Sequence, residues 1–334
     1  MCAGVGQTNL FDRAVAGLVP LVPQPLVKRF GRPYVAGESL EDALQTVAAL
    51  AKDNLLATLD IVGESVSEEI GAAAAADAYV QTLDALRACA PRAHVSLKPS
   101  GLGSSLSSRL CWEKIARVVR HAEETGSFVR IDMEEATTVD ATLALYKELR
   151  RAGLNRVGIV LQARLWRTAQ EVETLAEFTP NVRLCKGIYL EPPHVALQDH
   201  EAIRLNYARL LRRLLMRGSY VAIATHDEYL IADALDTLQE LGIGPDRYEF
   251  QMLLGVRHDL ARLLARDHAV RLYVPFGVDS FAYAQRRLRE NPQIAGHVAK
   301  AMLHRLTPLK VGHRQERDWF DRLRTERRSS ERQA

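Results

Sequence analysis

From about residue 40 onward, short runs of β-branched and aliphatic residues alternate with longer stretches whose apolar positions recur at helical spacing. The runs that read as strands are ATLDIVG (57–63), HVSLKP (94–99), FVRIDME (128–134), VGIVLQA (157–163), NVRLCKGIYL (181–190), YVAIATHD (220–227), YEFQMLLG (248–255) and RLYVPFG (271–277). Between them, Ser65–Ala90, Leu110–Thr125, Ala136–Gly153, Asp199–Gly218, Tyr229–Gly242 and Val256–Asp267 are rich in Ala, Leu, Arg and Glu and read as helices. Such alternation predicts consecutive βα units, and eight parallel strands with their helices close into an α/β (βα)8 TIM barrel. An open doubly wound sheet would carry a glycine-rich dinucleotide turn after its first strand, and GESVSEE is not one. The GxG at Gly101–Gly103 follows the second run and lacks the third glycine, so it reads as a turn. Residues 1–38, broken by Pro20, Pro23 and Pro25, read as an N-terminal helical extension; the barrel spans 39–305 and a basic tail 306–334.

Active sites of such barrels lie at the C-terminal ends of the strands, so the residues there carry the functional reading. The runs end, in order, at Gly63-Glu64, Lys98, Asp132-Met133-Glu134, Gln162 with Arg164, Arg183 with Lys186 and Tyr189, Thr225-His226-Asp227, Gln251, and Tyr273 before Pro275. One such charge is ordinarily a solvated surface group, but most of eight strands ending in chemically capable side chains points to a catalytic mouth. Strict alternation cannot turn both Arg183 and Lys186 inward, so one lies at a bulge or beyond the regular strand, with Gly187 making the bend cheap. After the last strand, Tyr283, Arg286, Arg287 and Glu290 share a face of a helix. Paired guanidiniums over a mouth suit a carboxylate or phosphate, and an exposed helix with an Arg286–Glu290 pair fits the same spacing.

Composition narrows the class. The chain has 334 residues, 47% of them hydrophobic and 25% charged, enough apolar material for a large core and too much for a disordered chain. Its net charge of +3 is carried by the tail from Lys310, so no basic stripe crosses the body and nucleic acid is not an expected partner. Cys2, Cys89, Cys111 and Cys185 form no CxxC pair, which argues for reduced thiols in a cytoplasmic setting and against a metal site. Cys185 reads as a buried core thiol, and His94, His121 and His258 as structural. Trp319 and Phe320 among the arginines of the tail suit peripheral contact with acidic lipid at the inner face of a membrane, and equally a terminal helix or a disordered end.

The succession SLKP, RIDME, VLQAR, RLCKGIY, ATHD, FQMLLG, LYVPFG and YxxRRxxE resembles the proline dehydrogenases, flavin enzymes of proline catabolism, in their stand-alone bacterial form, over about Val35 to Arg305. The resemblance implies a distorted (βα)8 barrel holding FAD over the strand ends. It implies oxidation of L-proline to Δ1-pyrroline-5-carboxylate, electrons leaving for a quinone, and a separate pyrroline-5-carboxylate dehydrogenase for the next step. By the same resemblance, Lys98, Arg286 and Arg287 hold the substrate carboxylate, and Asp132 lies near Lys98 and the substrate amine. Arg183 lies by the flavin N5, while Met133, Gln162, Lys186, Gly187, Ile188, Thr225 and His226 contact the cofactor. Tyr273 packs beside C4 of the proline ring, Tyr283 lines the same pocket, and Glu64 pairs with Arg286 as a gate.

The chemistry is consistent with that set. Hydride loss from a carbon next to nitrogen needs a neutral amine, which a nearby cation favours and a free carboxylate opposes. Two other readings fit parts of the pattern. One is a Schiff-base aldolase using Lys98 or Lys186, and the other a non-catalytic barrel with the arginine pair as a partner patch.

Overall fold

In a computed structural model, which describes residues 32–63 and 66–280, eight strands form one closed parallel barrel in chain order. The strands are β1 (Leu56–Ile61), β2 (His94–Leu97), β3 (Val129–Ile131), β4 (Val157–Gln162), β5 (Asn181–Cys185), β6 (Tyr220–Ala224), β7 (Tyr248–Leu253) and β8 (Val270–Phe276). The helices are α1 (Leu40–Ala51), α2 (Glu69–Cys89), α3 (Ser108–Thr125), α4 (Val139–Arg151), α5 (Thr168–Leu175), α6 (His200–Met216), α7 (Glu228–Glu240) and α8 (His258–Leu264). The seam is closed by β1 on β8, in register from Leu56 opposite Arg271 to Ile61 opposite Phe276.

Every strand the alternation predicts is present, but β1, β2, β3, β5, β6 and β7 stop two to five residues early because their ends leave the ladder to form the mouth. Two helices, α1 and α5, stand outside the sequence reading. Helix α1 is fixed by a capping box in which Ser39 Oγ accepts from Asp42 N–H at 3.1 Å and Asp42 Oδ2 accepts from Ser39 N–H at 3.0 Å. The eight-residue α5 is too short for a clear period. At Gly101–Gly103 a 3-10 turn (Pro99–Leu102) ends on Gly103 at φ 87°, the turn the sequence implies.

Alternation along the strands sorts two kinds of residue. Leu59, Val95, Leu97, Ile131, Ile159, Leu161, Leu184, Ile223, Phe250 and Leu272 are buried in one apolar core with the helices. Most positions between them face the axis and are polar, Gly158, Val160 and Ala222 being among the exceptions: Thr58, Asp60, Ser96, Arg130, Asp132, Arg183, Glu249, Gln251 and Arg271 are all buried. Barrel interiors are usually filled by layers of branched aliphatics, so this one departs from the common arrangement.

At the floor, where the strands begin, Arg271 donates to both carboxylate oxygens of Glu249 at 2.9–3.1 Å and to the carbonyls of Ala57 and Arg92 at 2.8 Å. Those donors hold the Glu249 carboxyl down to about 2 despite full burial. Beside them Arg130 donates to the carbonyls of Ile159 (3.0 Å) and Asn181 (2.7 Å) and to Asn181 Oδ1. It occupies the place a side chain at Gly158 would need: a Cβ there would sit 2.4 Å from Arg130 Nη1 and 2.7 Å from Asn181 O.

Candidate active site

At the opposite end, the strand ends bring a connected group of charges together. Asp60, mid-strand in β1 and fully buried, accepts both contacts of the Lys98 ammonium at 2.7 and 2.8 Å. Lys98 lies one residue past β2 and also reaches the Tyr273 hydroxyl at 3.2 Å. That hydroxyl donates to Asp132 Oδ2 at 3.0 Å, and Lys98 Nζ lies 3.9 Å from the same oxygen. Asp132 Oδ1 accepts from Arg183 Nη1 at 2.6 Å. Arg183 further donates from Nε to Gln251 Oε1 at 2.6 Å and from Nη2 to Ser96 Oγ at 2.9 Å, and its guanidinium lies 5.3 Å from the centre of the Tyr273 ring. Lys98, Arg183, Asp60 and Asp132 are two cations and two anions, so the mouth is locally balanced.

The neighbouring strand ends make a second donor group. Arg183 points inward, and Lys186 lies beyond the end of β5, where Gly187 at φ 97° turns the chain. Lys186 Nζ donates to Asp227 Oδ2 at 2.5 Å, which Arg204 of α6 also reaches at 2.6 Å. These two cations hold Asp227 below the usual carboxylate range against its burial. The other oxygen of Asp227 accepts from Tyr229 N–H and caps α7. Gln162 Nε2 donates to Glu134 O at 2.8 Å, and Gly187 passes so close that a Cβ would lie 2.9 Å from Gln162 Oε1. Met133 and Thr225 are buried beside this group, Ile188 is partly exposed, and His226 Nε2 accepts from Leu253 N–H at 2.9 Å. That bond assigns the proton of a neutral His226 ring to Nδ1.

Thus Lys98, Asp132, Arg183 and Tyr273 converge, and Gln162, Lys186, Gly187, Thr225 and His226 flank them on β4 to β6. Glu64, Tyr283, Arg286 and Arg287 lie outside the described residues, as do residues 1–31 and the tail. Cys185 is half-buried at its strand end, more exposed than a core residue, with burial of the thiol pushing it up to about 11. The sequence reading passed over Asp60, Ser96, Glu249 and Arg271. Their signal was available: a charge inside an otherwise apolar buried strand, as in LDI, YEF and VRL, must be paired across the barrel axis.

A family model described as proline dehydrogenase matches residues 43–300. The chain belongs to the proline dehydrogenase family. It is 38% identical over 275 residues to the proline dehydrogenase of Deinococcus radiodurans, covering 81% of this chain and 89% of that protein. Proline dehydrogenase 1 of Bacillus subtilis (strain 168) is 34% identical over 273 residues, covering 81% and 90%. Among solved structures, proline utilization A from Bdellovibrio bacteriovorus, inactivated by N-propargylglycine, superposes with a TM-score of 0.76 at 23% identity. That match covers 88% of this chain and 38% of the other, and it bears on the fold alone. The relatives place the chain with the stand-alone bacterial members. Among the described residues no helix is long and apolar enough to cross a membrane.

Proposed function

We propose that the chain is an FAD-dependent L-proline dehydrogenase that converts L-proline to Δ1-pyrroline-5-carboxylate, with a quinone as the electron acceptor. The observation that carries this reading is the Lys98–Tyr273–Asp132–Arg183 network at the mouth of a barrel whose family is that of the proline dehydrogenases. Flavin fits the donor chemistry of the flanking strand ends. Gln162, Lys186, Thr225 and His226 offer amide, ammonium, hydroxyl and imidazole groups in sequence, and Arg164 Nε is buried there with no partner among the described residues. Met133, Gly187 and Ile188 would complete that contact surface. When bound, the flavin supplies a hydride acceptor, and two-electron delivery onward to a quinone.

The residues themselves account for binding and orientation. Lys98, with Arg286 and Arg287, would hold the proline carboxylate, fixing the ring so that its α-carbon hydrogen has one direction to leave. The amine must be neutral when the hydride leaves. Asp132 does not oppose this, because its two oxygens are already bonded to Arg183 and Tyr273 and its charge is compensated. Arg183 would stabilise the negative charge that accumulates as the hydride is transferred. As the resemblance implies, Tyr273 would stand beside C4 of the proline ring and, with Tyr283, would leave little room for a 4-hydroxyl, giving proline over 4-hydroxyproline. Glu64 paired with Arg286 would close the site.

An aldolase reading is disfavoured because Lys98 and Lys186 are each bonded to a carboxylate, the opposite of the desolvated setting that frees a lysine as a nucleophile. The deciding experiment is an absorbance spectrum of the purified protein before and after anaerobic L-proline. Flavin bands that bleach on proline support the reading. A protein that stays colourless after reconstitution with FAD, or flavin that proline leaves oxidised, sinks it.

A further inference from the structure

The polar axis does more than join floor to mouth, because its hydrogen bonds have a fixed direction. Arg271 donates three bonds to Glu249, which keeps that carboxylate ionised and able only to accept. Gln251 Nε2 donates to Glu249 Oε1 at 2.5 Å. An amide whose nitrogen is committed to a carboxylate has its oxygen pointing the other way, and Gln251 Oε1 accepts from Arg183 Nε at 2.6 Å. With a glutamine turned round, two N–H donors would face each other in a buried site. The ionised floor therefore selects one orientation of Gln251, and that orientation fixes the edge of the Arg183 guanidinium. Asp132 and Ser96 hold the other two nitrogens. Of five N–H donors on Arg183, three are spent, among the described residues, on Ser96, Asp132 and Gln251, and two are left over for whatever binds at the mouth.

We propose that Glu249 and Gln251, backed by Arg271, are positioning residues that set the plane of Arg183 and act on the chemistry only through it. This rests on the reading that Arg183 faces the flavin. Glu249 and Gln251 are both buried, on the floor side of the arginine they orient.

A double-mutant cycle on the holoenzyme tests the idea, using Gln251→Met, Arg183→Met and the pair, with flavin content and thermal midpoint measured alongside. In the wild-type background, Gln251→Met is expected to slow flavin reduction by L-proline about tenfold, with KM moving less than about twofold. It should also lower the flavin reduction potential by about 30 mV, the two-electron equivalent of a tenfold weaker hold on the reduced state. In the Arg183→Met background it should change neither rate nor potential. Glu249→Gln, which keeps the shape and removes the fixed charge, should shift both in the same direction by less and serves if Gln251→Met does not retain flavin. Equal losses in both backgrounds, or an unmoved potential in flavin-replete variants, overturn the relay. If Arg183→Met itself leaves rate and potential unchanged, the placement of Arg183 falls and the relay with it. A strong Arg183 effect beside a silent Gln251 removes the relay alone.

Discussion

The floor and the mouth of the barrel hold similar charges in different states. At the floor, Arg130, Arg271 and Glu249 are no more than 3% exposed, and their bonds go to one another, to Asn181 and Gln251, and to backbone carbonyls. At the mouth, the side chains of Lys98 and Asp132 are 27% and 12% exposed, and Lys98, Asp132, Arg183 and Tyr273 bond to side chains that an incoming ligand could compete for. The same residue types thus serve as permanent structure where solvent is absent and stay open to an exchange of partners where a little is admitted. A buried pair is costly to break because the surviving partner is stranded, whereas a half-open group can exchange partners. Changes at the floor should therefore read out chiefly in stability, with Glu249 reaching the chemistry only through Gln251 and Arg183, and changes at the mouth in chemistry.

Lys98→Met gives the largest expected effect and crosses the boundary, since it strands the fully buried Asp60. Stability should fall by about 3–5 kcal/mol in urea unfolding, and KM for proline should rise. Adding Asp60→Asn should restore much of the stability and none of the affinity. Recovery of both would put Lys98 on the structural side of the comparison. Arg183→Met should slow flavin reduction by about 10² to 10³-fold, the usual cost of losing an oriented charge at a reacting centre, and stopped-flow reduction by proline would read it.

For Glu249, the folded pKa of about 2 lies below the value of 4.5 expected of the unfolded chain. Its ionised form thus adds stability that is complete above about pH 4.5 and lost as pH falls toward 2, worth roughly 3 kcal/mol by linkage. Acid unfolding of wild type against Glu249→Gln should show a gap that narrows through that window, and a gap independent of pH would contradict the assignment. Gly158→Ala should cost about 1–3 kcal/mol by overpacking against Arg130 and the Asn181 carbonyl, seen in the thermal midpoint. The rate per folded molecule should stay within about twofold; a larger loss of activity would erase the distinction between the two regions. Smallest is Tyr273→Phe, which removes one hydroxyl bonded to Asp132 and Lys98 and should slow turnover by about tenfold.

The barrel was legible in the sequence because parallel strands buried on both faces leave continuous apolar runs, as in VGIVLQ, where every residue is buried. The mouth was legible through residues at strand ends and through the family motif they compose. Asp60, Glu249 and Arg271 were signalled only as charges within apolar runs; their partners were not legible until closure brings β1, β7 and β8 together. Whether Arg183 or Lys186 faced inward depended on where β5 stops, and the pleat alone cannot set that. The strand ends at Cys185, so Lys186 turns away to Asp227. Helix α5 was missed for a local reason, its eight residues giving too few turns for a period to stand out.

The close fit of Arg130 against Gly158 restricts sequence change. While the arginine is in place, any side chain at 158 collides with it; replacing it with something shorter removes that clash but leaves the one with the backbone carbonyl of Asn181, 2.7 Å from a Cβ at 158. Position 158 is therefore closed from two sides, by a side chain 28 positions earlier that substitution can shorten and by backbone that it cannot. A substitution at 158 stays costly in either background, and shortening Arg130 relieves only the share of the cost that its own guanidinium imposes.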